Sequence, residues 1–144
     1  MKLATRQFAP ITKTPWSSVL DRGDAGDAIT LDWRARGMQR IRLTAASCRV
    51  LFAAPPGAAH VTLLVEQDGT GGRLIEWGTT SAEGTGTGTG SMETGTGTGT
   101  GDSTIRWEGG TIPTLSAGGG SLDVLCFVFD GNDYHGALAV PNSM

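Results

Sequence analysis

Apolar residues recur along this chain with a period of two, and almost never with the 3.6-residue period of a helix. AITLDW (28–33), MQRIRLTA (38–45), SCRVLFA (47–53), HVTLLVEQ (60–67), GRLIEW (72–77), STIRWE (103–108) and LDVLCFVFD (122–130) are short and rich in β-branched or aromatic residues. Turn formers separate them: Pro55-Pro56-Gly57, the run from Asp68 to Gly72, Gly109-Gly110, Gly118-Gly119-Gly120, and Asp130-Gly131-Asn132-Asp133. β-Branched and aromatic side chains fit a pleated, half-buried surface, while Gly, Pro, Asn and Asp supply turn conformations. The pattern predicts an all-β fold, an antiparallel β-sandwich or barrel of about seven to ten short strands.

The first 27 residues break the pattern. Pro10, Pro15, Gly23 and Gly26 interrupt them, so residues 1–27 are expected to form an extended N-terminal arm, and residues 28–144 a single β-domain.

Within that domain lies GTGTGTGSMETGTGTGTG, residues 84–101. Threonine occupies positions 85, 87 and 89, then switches phase to 94, 96, 98 and 100. Folding the chain back around a loop at 90–93 opposes Thr89 with Thr94 and Thr87 with Thr96. Opposed residues share a face, so one face of such a ribbon is all threonine and the other all glycine. One reading is a long Gly/Thr β-hairpin that extends the Trp77 and Trp107 strands and is held by a neighbouring subunit. The other is a low-complexity insertion without fixed structure, since glycine specifies register poorly. A phosphate-cradling loop is excluded: the chain has no Gly-Lys pair, and no helix pattern follows the glycines.

Charge adds a polarity. The net charge is −3, which gives no general case for nucleic-acid binding. Residues 1–50 hold nine Lys and Arg against four Asp, whereas residues 51–144 hold two Arg against ten acids. A subunit polarised in this way can stack head to tail or set a basic end on an acidic partner. No apolar run approaches the roughly 20 residues of a membrane helix, and MKLATRQFAP lacks the apolar core of a signal peptide. Cys48 and Cys126 both sit in strand-like apolar runs, so buried free thiols are expected, as in a reducing compartment.

Catalytic and metal chemistry is sparse. His60 and His135 are the only histidines, with no ligand partners at metal spacing, and no nucleophile-elbow motif occurs. Asp130-Gly131-Asn132-Asp133 lacks the later positions of a calcium loop and reads as a hairpin turn. Arg22-Gly23-Asp24 matches a cell-adhesion tripeptide without supporting context. Arg34, Arg36, Arg40 and Arg42 recur at strand spacing and form either an interface for an acidic partner or a solvated face. No catalytic residue, metal ligand or cofactor site is expected.

One extended string carries more information. VEQDGTGGRLIEW, then IRWEGGTIPTLSAGGGSLDVLCFVFDGNDYHGALA, resembles a β-structured module of tailed-bacteriophage virion proteins. The matching positions are Gln67 to Arg73, Trp77, Trp107 to Leu115, Asp123 to Phe127, Asp130-Gly131, Tyr134 and Gly136, within residues 28–139. The Gly/Thr ribbon replaces the tight loop that usually joins the two tryptophan strands. The resemblance implies a non-enzymatic virion structural protein, often a homotrimer, assembled in the bacterial host cytoplasm. A small oligomeric capsid decoration protein suits a single module behind an arm, with major capsid or tail proteins as partners. A tail-fibre, head-fibre or other tail appendage is the alternative. A carbohydrate-binding module, stacking Trp16, Trp33 or Tyr134 on a host surface glycan, is the second. The expected interface residues are Phe8, Trp16, Arg34, Arg36, Arg40, Arg42, Thr87, Thr89, Thr94 and Thr96. Trp77, Trp107 and Phe127 are expected in the core. Neither nucleic acid nor membrane is an expected partner.

Overall fold

In the computed structural model, residues 18–80, 92–93 and 103–141 are described. Their strands are β1 (Leu20–Asp24), β2 (Ala28–Asp32), β3 (Met38–Leu43), β4 (Ser47–Ala53), β5 (Ala59–Gln67), β6 (Leu74–Thr79), β7 (Met92–Glu93), β8 (Ile105–Trp107), β9 (Leu122–Phe129) and β10 (Tyr134–Val140). Sheet A has the order β1-β3-β5-β9-β10-β8, and sheet B the order β2-β4-β6-β7.

From β1 to β6 the chain alternates between the sheets, adding one strand to each on every turn. A chain that crosses to the other sheet and returns arrives pointing as it did before. Hence β1, β3 and β5 are mutually parallel, as are β2, β4 and β6. After β6 the rule changes: β9 runs antiparallel to β5, β10 antiparallel to β9, and β8 parallel to β10. The expected antiparallel sandwich or barrel is therefore incorrect; sheet A is mixed, and sheet B is parallel apart from the short β7. The period of two reports which side of a strand is buried, not which way its neighbour runs. The turn clusters misled for the same reason. Pro55-Pro56-Gly57 and Asp68–Gly72 look like hairpin turns, but they are corners between sheets. Asp130–Asp133 alone among these clusters joins two strands paired with each other, Phe129 lying opposite Tyr134.

The core lies between the sheets. β5 sends Val61, Leu63 and Val65 inward, β4 sends Cys48, Val50 and Phe52, and β9 sends Leu125, Phe127 and Phe129. Each fully buried aliphatic or aromatic side chain is worth about 1.5–3 kcal/mol. Phe52 is the centre of an edge-to-face aromatic cluster, with ring centroids 5.2 Å from Trp33, 6.0 Å from Trp77, 5.0 Å from Phe127 and 5.0 Å from Tyr134.

The sheet begins upstream of the boundary drawn at residue 28. Residues 20–24 are an edge strand of sheet A, and Ala25 is buried in the core. The pairing expected between the Trp77 and Trp107 strands is also absent. β6 lies in sheet B and β8 in sheet A, so the two tryptophans meet across the core. Met92 and Glu93, expected in the hairpin tip at 90–93, pair antiparallel with Gly78 and Trp77. Phe8, Trp16, Thr87, Thr89, Thr94 and Thr96, and the rest of the Gly/Thr ribbon, lie outside the described residues. Both cysteines are free thiols, but only Cys48 is buried. Cys126 is exposed on the outer face of sheet A, because β9 alternates and Cys126 falls between the inward Leu125 and Phe127.

Candidate functional site

The Q-D-G-T-G-G-R stretch forms the corner from β5 to β6. The Gln67 side chain bridges Arg73: its Nε2 donates to the Arg73 carbonyl at 3.1 Å, and its Oε1 accepts from the Arg73 amide at 2.9 Å. Asp68 Oδ1 accepts from the amides of Thr70 and Gly71 at 3.1 and 3.0 Å. Arg73 Nη2 donates to Asp68 Oδ2 at 2.8 Å. The guanidinium, followed by the Gly71 amide, holds the Asp68 carboxyl at about 2, below its ordinary range.

A second glycine loop locks onto this corner. Gly72 donates to the Ala117 carbonyl at 2.9 Å, Gly120 to Asp68 at 3.0 Å, and Gln67 to Ser121 at 2.8 Å. A Cβ on Gly71 would fall onto the Ala117 carbonyl, and one on Gly119 onto the Gly69 carbonyl. Buried Asp123 anchors the approach to this loop, accepting from the Ser116 amide and hydroxyl at 2.7 Å each. The sequence reads both segments as turns; their interlock is a long-range fact that no local pattern carries.

The second half of the string builds the β9–β10 turn and fixes β8 beside it. Asp130 Oδ1 accepts from the amides of Asn132 and Asp133 at 2.8 Å each, and its Oδ2 lies 2.8 Å from His135 Nε2. The Asp133 amide first, then His135 and the Asn132 amide, hold Asp130 at about 2. Asp133 accepts from the Thr104 amide at 3.0 Å and from Arg106 Nε at 3.3 Å. Gly136 lies against the rings of Phe127 and Trp107, where a Cβ would collide with Phe127. Burial pushes the Tyr134 phenol well above its ordinary value.

Beside this turn is an open groove of about 300 Å³, lined by Arg106, Trp107, Glu108, His135, Gly136 and Ala137. His135 reaches it from the turn, where its Nε2 is held 2.8 Å from Asp130 Oδ2. Among the described residues that line it there is no serine, threonine or cysteine. Among the described residues no group of three or more His, Cys, Asp or Glu could hold a metal ion. No helix among them is long and apolar enough to cross a membrane.

The four arginines do not form one patch. Arg40 and Arg42 stand on the outer face of sheet A, where they pair with Glu66 at 2.6 Å and Asp24 at 2.7 Å. Arg34 and Arg36 sit in the corner between β2 and β3. Arg34 pairs with Asp32 at 2.9 Å, and Arg36 Nη1 donates to Ser18 Oγ at 2.6 Å. Each guanidinium is engaged within its own chain. The same holds for Arg22-Gly23-Asp24: Arg22 donates to the Thr30 carbonyl and Gln39 Oε1 at 3.2 Å each, and Asp24 holds Arg42. This tripeptide lies in β1 and is not presented on a loop.

Trp77, Trp107 and Phe127 are all buried. So are Trp33 and Tyr134, which removes them as sugar-stacking platforms, since each turns inward from its strand or corner to pack on Phe52. Compared with protein families, curated proteins and solved structures, the chain matches none of them.

Proposed function

We propose that this chain is a non-enzymatic structural protein of a bacteriophage particle, an oligomeric subunit that decorates the capsid surface. One observation carries the reading: the residues of the virion-module string are spent on building the scaffold. Gln67, Asp68, Gly71 and Arg73 lock one corner. Asp123 ties the loop before β9, and Asp130, Tyr134 and Gly136 set the last hairpin against Trp107. A string that long, used for architecture, supports a module selected for its shape. The carbohydrate-binding alternative is weakened by the burial of Trp33 and Tyr134.

The test is a quantitative gel of purified particles of the phage that encodes the chain, with light scattering of the isolated protein. A copy number commensurate with the capsid subunits, and a trimer in solution, are expected. A copy number matching a tail structure would move the protein to an appendage, and its absence from particles would defeat the proposal.

A further inference from the structure

Sheet A covers the core with one face and turns the other outward. Strand register and the alternation of side chains assign that outer face. One row crosses four strands, with Met38 opposite Thr62, Thr62 opposite Cys126, and Cys126 opposite Ala137. The next row sets Leu64 and Val140 on either side of Val124. β9 adds Leu122 and Val128 at its two ends. None of these residues carries a charge, so a largely apolar stripe runs the length of β9 and spreads onto β5 and β10. The stripe is open: Val128 is 41% exposed, Val140 44% and Met38 37%, and Cys126 is exposed among them.

The sequence of β9 shows that this face is built to be covered. Its inward residues are Asp123, Leu125, Phe127 and Phe129, and the Asp123 carboxylate is bound to Ser116. Its outward residues, Leu122, Val124, Cys126 and Val128, are apolar as well. A strand with one wet face alternates apolar with polar, whereas a near-continuous apolar run belongs to a strand covered on both faces. The neighbours do alternate: β3 turns Arg40 and Arg42 outward, and β5 turns out His60 and Glu66.

Size and charge identify the cover. The stripe spans three strands, β5, β9 and β10, and at strand spacing it measures on the order of 370 Å². A stable interface takes roughly 800 Å² from each partner, so the cover must also lie on the charged flanks. All six strands together present on the order of 700 Å². The outward charges of those strands are Asp21, Asp24 and Glu66 against Arg40, Arg42 and Arg106, three of each sign. Arg40 pairs with Glu66 and Arg42 with Asp24 inside the chain. A face of zero formal charge offers no field to a strongly acidic or basic partner, and it does not repel its own copy.

We propose that the outer face of sheet A is the surface on which copies of this chain join, each burying its β9 stripe against another copy. The proposal rests on the oligomeric part of the reading above and names the surface that serves it.

Sedimentation of the full chain across a dilution series, combined with iodoacetamide labelling of Cys126, tests this. In chains diluted to monomers Cys126 reacts at once, and in the oligomer on the order of a hundredfold more slowly. Val128→Glu places a charge in the stripe and is expected to leave a folded monomer with a reactive Cys126. It also supplies the monomer where dilution does not. Leu74→Glu, at the 64% exposed Leu74 of β6 in sheet B, is expected to leave the oligomer intact. A chain that stays monomeric up to the millimolar range overturns the proposal. So does a Cys126 protected equally in the monomer, which would make another segment of the same chain the cover. An oligomer whose Cys126 reacts as fast as the monomer's overturns this surface and leaves the oligomeric reading standing. The labelling of the unaltered chain decides the matter even if Val128→Glu fails to fold, and the copy number in particles tests the virion reading separately.

Discussion

Trp77 and Trp107 meet across the core, ring centroids 5.1 Å apart and planes inclined by 64°, although their strands lie in different sheets. Both also contact Phe127, so the three rings tie β6, β8 and β9 together. Truncating either tryptophan to alanine should cost about 3–5 kcal/mol. The double variant should cost less than the sum, with a coupling of about 0.5–1.5 kcal/mol. Urea denaturation of the four proteins measures this, and strict additivity would mean that the rings do not interact.

The interlocked loops give a sharper contrast among glycines. Gly71 and Gly109 share nearly the same φ, +76° and +72°, but a Cβ on Gly71 strikes backbone atoms and one on Gly109 meets open space. Gly109→Ala should therefore cost only the left-handed penalty of about 1–2 kcal/mol. Gly71→Ala and Gly119→Ala should each cost more than about 3 kcal/mol or prevent folding. Equal losses at Gly71 and Gly109 would show that backbone conformation, not the close approach of the loops, sets the requirement.

Strand content was legible because alternation in segments such as HVTLLVEQ depends only on which face is buried. Strand direction was not. Leu63 pairs with Leu125 and Ile41 with Val65, and nothing local to any of these residues states whether the partner runs with it or against it. β1 was missed because LDRGD holds one apolar residue, as an edge strand with both faces partly wet can. Trp77, Trp107 and Phe127 were readable as core because each is a large aromatic in a strand segment. Arg34 with Asp32 lay two residues apart in plain view, whereas Arg40 with Glu66 required knowing that β3 lies beside β5.

Acid should loosen the two aspartate-centred turns. Asp68 and Asp130 have folded values of about 2 against an ordinary 3.8. A depressed folded value means that the stabilisation is complete above the unfolded value and is lost as pH falls from about 4 through 2. Asp68→Asn should flatten that part of the stability–pH profile and lower stability at neutral pH. A profile unchanged by both Asp68→Asn and Asp130→Asn would show that these carboxylates are not preferentially ionised in the folded state.

The thiols should separate cleanly in a labelling experiment. Cys126 is exposed, whereas Cys48 is buried and its thiol is pushed up to about 11, chiefly by desolvation. A thiol reagent at neutral pH should modify one cysteine per chain at once, and the second only as the protein unfolds. Mass spectrometry assigns the site. Immediate modification of Cys48 would contradict its place in the core, while protection of Cys126 in the assembled protein alone would locate a subunit contact on the outer face of sheet A.

Truncation locates where the fold begins. If residues 1–27 were only an arm, removing residues 1–25 would leave the β-domain intact. The structure predicts otherwise, because that deletion takes β1, the buried Ala25, and the pairing of Asp24 with Arg42. It also removes the Arg22 guanidinium from the fully buried Gln39 and leaves β3 as a bare edge. The loss should be about 2–4 kcal/mol, from an uncovered edge and a buried amide stripped of a partner. Removing residues 1–17 keeps every one of these contacts and should cost less. Urea midpoints of the two truncated chains, compared with the full chain, decide the matter. Equal midpoints for the two truncations would mean that β1 contributes nothing, and that the folded unit starts at Ala28 after all.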